Sequence, residues 1–201
     1  TTITRVACPD AATRRRAGLY LEQSAQARGA GQFRQAVAHA KRAQQLLAAP
    51  ETTAAELEAL LMAGNVKATR KRVFEAWKTQ ADETLLPYWD RAQPDTDAFK
   101  YYETMLKANP QAPLTHATLV RAAIEDNRAM EARAHLDALR GLDGENVLYA
   151  QARALIAEKL DHDAAEARHW KTRADALRAT RALTPQTSVL KPLPRLSQEP
   201  F

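Results

Sequence analysis

A separation of 33 residues recurs along the first part of the chain and constrains the fold more than any other feature. Three pairs of similar residues share it: Gly31 and Gly64, Ala40 and Val73, and Ala43 and Ala76. Three coincident pairs at one period indicate internal repetition, and a period of this size is typical of stacked helical hairpins. Such a unit buries its apolar side only against its neighbours.

The first repeat shows how each hairpin is built. Residues 17–28 read as one helix, Gly31 marks a tight turn, and residues 35–47 read as a second helix. Ala36, Ala40 and Ala43 recur at spacings of four and three, which places them on one helix face. Small side chains on that face predict a close approach of the two helices.

The composition agrees with an all-α fold. Hydrophobic residues make up 45% of the chain, only 6 glycines are present, and no segment shows the β-branched alternation of a strand. We predict a tetratricopeptide-like, right-handed superhelix of about five hairpins within residues 1–183. The predicted units are 14–49, 50–80, 81–110, 111–143 and 145–183. The third is irregular because its first helix, 83–92, carries Pro87.

The last stretch, 184–201, differs from the repeats. It contains Pro185, Pro192, Pro194 and Pro200, so we expect an extended or disordered tail that acts as a linker, a free tail or a ligand of the groove. The chain begins without Met, which we interpret as a fragment of a longer protein.

Composition and motifs argue against most chemical functions. The single cysteine, Cys8, builds neither a disulfide framework nor a cysteine metal site. No phosphate-binding glycine loop or nucleophile elbow occurs, so we predict neither catalysis nor a metal nor a cofactor. The net charge is +5, but the basic residues are scattered among 24 acidic residues. This pattern favours a solvated surface over nucleic-acid binding.

The order of several short motifs resembles the C-terminal tetratricopeptide region of proteobacterial HemY over residues 14–183. The motifs are Arg14-Arg15-Arg16, His39-Ala40-Lys41-Arg42-Ala43, Glu75-Ala76-Trp77, Leu106-Lys107-Ala108-Asn109-Pro110, Glu131-Ala132-Arg133 and Arg168-His169-Trp170. The resemblance implies a non-enzymatic scaffold associated with haem biosynthesis, with proteins such as haem-biosynthesis enzymes as partners. It also implies attachment to the bacterial inner membrane through an N-terminal segment that this sequence does not include.

The first helices of a hairpin stack line a groove, where we expect partners to bind. Counting from the repeat turns, the predicted groove residues are Leu21, Ala25, Arg28, Ala54, Glu58, Met62, Ala117, Arg121 and Ile124. Arginine offers a bidentate fork to carboxylates, so Arg28 and Arg121 predict an extended peptide or a helix that carries carboxylates. The alternative is that both arginines are only solvated.

The largest side chains and the histidines leave alternatives open. Trp77 and Trp170 fit core positions between units, whereas Trp89, beside Pro87, is a candidate exposed anchor. His162 and His169 are seven residues apart, which would place them on one helix face and permit a haem- or porphyrin-binding carrier. A peptide-binding adaptor in envelope assembly is the other alternative to the haem-linked scaffold.

Overall fold

The computed structural model describes residues 10–93 and 98–183, and every described element is helical. The helices are α1 (Ala11–Gly29), α2 (Phe33–Leu46), α3 (Pro50–Met62), α4 (Val66–Thr79), α5 (Leu86–Arg91), α6 (Ala98–Ala108), α7 (Pro113–Glu125), α8 (Ala129–Asp143), α9 (Val147–Lys159) and α10 (Ala164–Leu183). The predicted all-α helical repeat is confirmed. Cys8 and the predicted tail, 184–201, lie outside the described residues.

The helices pack as successive antiparallel hairpins. Contacts join α1 to α2, α3 to α4, α7 to α8, and α9 to α10. The first helices of neighbouring hairpins also touch, because α1 contacts α3, α3 contacts α5, and α7 contacts α9. This arrangement lets a surface run from one unit to the next.

The turns of three hairpins share one backbone geometry. Gly31, Gly64 and Asn127 have φ of 71°, 69° and 57°, a left-handed conformation that glycine and asparagine tolerate best. The next residue in each turn donates its N–H to a carbonyl five positions earlier, as Gln32 does to Ala27 at 2.8 Å. This is the hydrogen bond of a Schellman cap, and it ends the first helix while the chain reverses.

The fifth turn is one residue longer than these. His162 is its left-handed residue, with φ of 53°, and the N–H of Asp163 bonds the carbonyl of Ala157 at 2.9 Å. The side chain of Asp163 then accepts from the N–H groups of Ala165 and Glu166, each at 2.9 Å. This N-terminal cap fixes the start of α10 at Ala164.

The irregular third unit departs from the single helix predicted over 83–92. A 3-10 turn, Glu83–Leu85, comes first, and the six-residue helix α5 follows it. Asp82 caps the turn by accepting from the N–H of Thr84 at 2.8 Å. Pro87 has no N–H to donate, so a regular helix can include it only in the first turn, where α5 has it.

Aromatic residues fill the centre of the stack. Trp77 is fully buried, as predicted, and Trp170 is partly buried with its ring 5.6 Å from that of Tyr149. The prediction that Trp89 is an exposed anchor is wrong, because its side chain is only 3% exposed. It stacks on Tyr101 with ring centroids 4.4 Å apart, and the Tyr101 hydroxyl donates to the Trp89 carbonyl.

Two nearby glycines should respond to alanine in opposite ways. Gly144 ends α8 with φ of 61° and ψ of −150°, a conformation that costs an L-residue about 1–3 kcal/mol, so Gly144→Ala should destabilise the protein. Gly141 lies inside α8 with nothing within 4 Å of an added Cβ, so Gly141→Ala should stabilise it by about 0.5–1 kcal/mol. Urea unfolding of both variants checks the pair, and equal shifts in the same direction would contradict the assigned helix end.

Candidate binding groove

Two adjoining cavities run along the first helices of the last three hairpins. One has a volume of about 460 Å³ and the other about 790 Å³. They have in common Glu83, Leu114, Leu148 and Gln151, so they form one continuous depression across α5, α7 and α9. We call this depression the groove.

The floor of the groove is apolar. Leu114 and Leu148 pack partly against the core, and Leu155 lies one helical heptad beyond Leu148 on α9. Ala117 and Ala152 occupy the intervening positions on α7 and α9, so both helices present the same face. Covering an apolar strip of this kind with a partner is favourable, because it removes apolar surface from water.

Arg121 lines the groove, but its charge is already compensated. Its guanidinium lies 3.9 Å from a carboxylate oxygen of Asp90 and 4.0 Å from one of Glu125. It also donates to the hydroxyl of Tyr102 at 3.4 Å and lies over that ring. Because two carboxylates face it, Arg121 is a weaker site for an acidic partner than its sequence position indicates.

A second polar cluster joins the first helices of the earlier units. Glu58 on α3 and Arg91 on α5 form an ion pair at 3.2 Å. Burial raises the pKa of Tyr88, and the charge of Glu58 adds to this while Arg91 and Arg28 oppose it. The charges of Arg28 and Glu58 thus both act on Tyr88, although the three residues belong to three hairpins.

The remaining predicted groove residues take different positions. Leu21 is partly buried on α1, and Met62 is 41% exposed at the end of α3. Ile124 packs against the core cluster and is not among the residues that line the two cavities. The sequence reading of α7 therefore placed Ala117 and Arg121 in the depression and Ile124 beside it.

Leu148, Gln151 and Leu155 are groove residues that the sequence analysis missed. They occupy positions i, i+3 and i+7 of α9, which is the spacing of one helix face. The predicted groove residues came only from the first, second and fourth hairpins, so α9 was not included. Leu148 and Leu155, apolar residues at that spacing, could have indicated this face of α9 from the sequence.

The proposed histidine pair is not on one helix face. His162 is the left-handed residue of the fifth turn, whereas His169 lies within α10, which begins at Ala164. His169 instead packs edge-on against Trp170, with ring centroids 5.4 Å apart. Among the described residues, no group of three His, Cys, Asp or Glu side chains is placed to hold a metal ion.

Two other histidines meet between α7 and α8. The Nδ1 atoms of His116 and His135 are 3.2 Å apart, and Nε2 of His116 is 3.1 Å from the carbonyl oxygen of Pro110. Burial lowers the pKa of His135, the facing His116 lowers it further, and Glu131 acts in the opposite direction. The 3.2 Å between the two Nδ1 atoms is a hydrogen-bond distance, so one ring donates to the other.

Acid should weaken the fold through His135. In the unfolded chain this side chain takes up a proton near pH 6.5, whereas its folded pKa is lower, so the unfolded state binds more protons as the pH falls. The contribution of His135 is fully present above about pH 6.5 and is lost as the pH falls through the folded pKa. Between pH 7.5 and pH 5.5 the free energy of unfolding, measured in urea, should fall more for the parent chain than for His135→Gln. Equal falls would contradict the role given to His135.

Comparisons with known proteins agree with the fold. Residues 96–156 match the tetratricopeptide repeat family, a stretch that reaches from the second helix of the third hairpin into α9. No curated protein matches the sequence. Across residues 10–93 and 98–183, no helix is both long and apolar enough to cross a membrane.

Proposed function

We propose that this tetratricopeptide-type helical repeat is a non-enzymatic scaffold that binds an extended protein segment in the groove. The observation that carries the proposal is the continuity of the two cavities across three successive first helices. Helical repeats commonly use their concave surface to bind other proteins. An apolar floor with charged edges is the arrangement expected of a protein-binding surface.

The resemblance to the HemY repeat region supports a finer version of this proposal. In that version the scaffold organises proteins of haem biosynthesis at the bacterial inner membrane, to which a segment outside this sequence attaches it. The support is the order of motifs from Arg14-Arg15-Arg16 to Arg168-His169-Trp170. A histidine-ligated haem carrier gains no support from geometry, because His162 and His169 do not share a helix face.

A single substitution in the groove tests the binding role. Gln151 is exposed and lines both cavities, so Gln151→Arg adds bulk and charge there without opening the core. Proteins captured by the parent chain should be recovered about tenfold less well by this variant, a change of about 1.4 kcal/mol in binding. The measurement is quantitative affinity capture from native membranes.

The matched control is Gln45→Arg, which makes the same change at an exposed position of α2, the second helix of the first hairpin. Recovery with this variant should equal that of the parent chain. If Gln151→Arg and Gln45→Arg retain every partner equally, the groove is not the binding surface.

A further inference from the structure

The last described helix ends beside the groove. Arg178 of α10 lines the larger cavity together with Val147 and Glu83. Leu183, the end of α10, comes only five positions after Arg178. Residues 184–201 therefore continue the chain from a point near the edge of the groove.

The chain length beyond α10 is sufficient to enter the groove. Residues 184–189 can span about 20 Å when extended, at roughly 3.3 Å per residue. Leu183 lies five helical residues, or about 7.5 Å, beyond Arg178 of the lining, and Leu148 and Leu155 on the floor are about 10 Å apart. A segment that starts near residue 190 can thus lie along the floor while remaining attached to α10.

The lining of the groove holds three carboxylates and two guanidinium groups. The carboxylates are Asp82, Glu83 and Asp90 in the lining, with Glu125 and Asp175 beside them. The lining contains two guanidinium groups, those of Arg121 and Arg178. Each has a carboxylate oxygen within 4.0 Å. The surplus of carboxylates favours a basic ligand over an acidic one.

Residues 190–196 have the complementary chemistry. Leu190, Leu193 and Leu196 are three positions apart, which is the repeat of a polyproline II helix, so one side of a bound segment in that conformation would carry all three leucines. Lys191 and Arg195 supply the positive charge. Pro192 and Pro194 restrict the free chain and reduce the entropy lost on binding.

We infer that residues 190–196 of this same chain occupy the groove, with the leucines on the floor and Lys191 and Arg195 toward the carboxylates. The inference rests on the proposed function, because it takes the groove as a binding surface. A tethered segment has a high effective concentration, of roughly millimolar order for a short linker, so even weak contacts keep it bound.

Paramagnetic broadening in the full chain tests the placement. A nitroxide attached to Ser197→Cys, in a Cys8→Ser background, should broaden the amide resonances of groove residues such as Thr118 and Gln151. The resonance of Gln45 on α2 should remain sharp. Absence of selective broadening at α7 and α9 would overturn the inference.

Substitutions in the tail separate specific docking from chance proximity. Leu190→Asn/Leu193→Asn should reduce the broadening at Thr118 and Gln151 severalfold, because the apolar contacts are removed. The control Thr187→Asn/Gln198→Asn leaves all three leucines in place and should retain the broadening. If both double variants behave like the parent chain, the leucines do not hold the segment in the groove.

Mixed samples distinguish the chain's own tail from that of a second copy. Spin-labelled chain without isotope is added to isotope-labelled chain without the nitroxide, and the resonances of the second should stay sharp. Broadening in this mixture as strong as in the chain that carries both the nitroxide and the isotope would overturn the assignment to the chain's own tail. The proposed function fails separately, if Gln151→Arg leaves the capture of partners unchanged.

Discussion

Trp77→Ala should lower the free energy of unfolding by about 3–5 kcal/mol, the cost typical of truncating a buried aromatic side chain. Trp77 is fully buried on α4 within the main core cluster. Its indole N–H donates to the hydroxyl of Thr115 on α7 at 2.9 Å. The side chain of Asn109 also donates to the Trp77 carbonyl at 3.3 Å. One residue thus links the second hairpin to the fourth past the irregular third unit.

A conservative variant separates packing from hydrogen bonding. Trp77→Phe keeps most of the apolar volume and removes the indole N–H, so the expected loss is about 1–3 kcal/mol. The hydroxyl of Thr115 keeps its bond to the Asn109 carbonyl at 3.0 Å. Urea unfolding provides the measurement for both variants. A loss below about 1 kcal/mol for Trp77→Ala would contradict a core that spans these hairpins.

Arg72→Met should destabilise the protein by about 2–3 kcal/mol. The Arg72 Nε donates to a carboxylate oxygen of Glu56 at 2.8 Å, and the side chain of Glu56 is only 7% exposed. Removing the guanidinium leaves that carboxylate buried without its partner, which costs about 3–5 kcal/mol in a fully buried pair. We expect less here because the Arg72 side chain is 23% exposed and water reaches it.

The double variant Arg72→Met/Glu56→Gln tests that explanation. With the buried charge removed as well, most of the lost stability should return, because the cost comes from the unpaired carboxylate rather than from the missing arginine. Guanidinium chloride screens charges, so urea is the suitable denaturant for the comparison. If the double variant is less stable than Arg72→Met alone, the ion pair is not the source of the effect.

The repeat could be predicted because its signals are local. Each of Gly31, Gly64 and Asn127 stands where a left-handed residue closes a helix, and this requirement depends on only a few neighbouring residues. Ala36 and Ala40 were predicted on a packed face, and both are fully buried. The helical period and the turn residues together determine where most helices begin and end.

Features that depend on distant helices could not be predicted in this way. Trp89 resembled an exposed anchor beside Pro87, and it is buried because Tyr101, 12 residues later, stacks on it. His116 and His135 are 19 residues apart and meet only because α7 and α8 form a hairpin. The charge balance at Arg121 was missed for the same reason, since Asp90 belongs to another hairpin.

Site-specific photo-crosslinking shows whether proteins bind in the groove across α5, α7 and α9. A photoreactive amino acid would be placed at Gln151 in the groove and, as a control, at the exposed Gln45 on α2. After irradiation in cells, we expect a defined protein adduct of higher mass at position 151 and none at position 45. The same adduct at both positions, or an adduct at position 45 alone, would contradict binding in the groove.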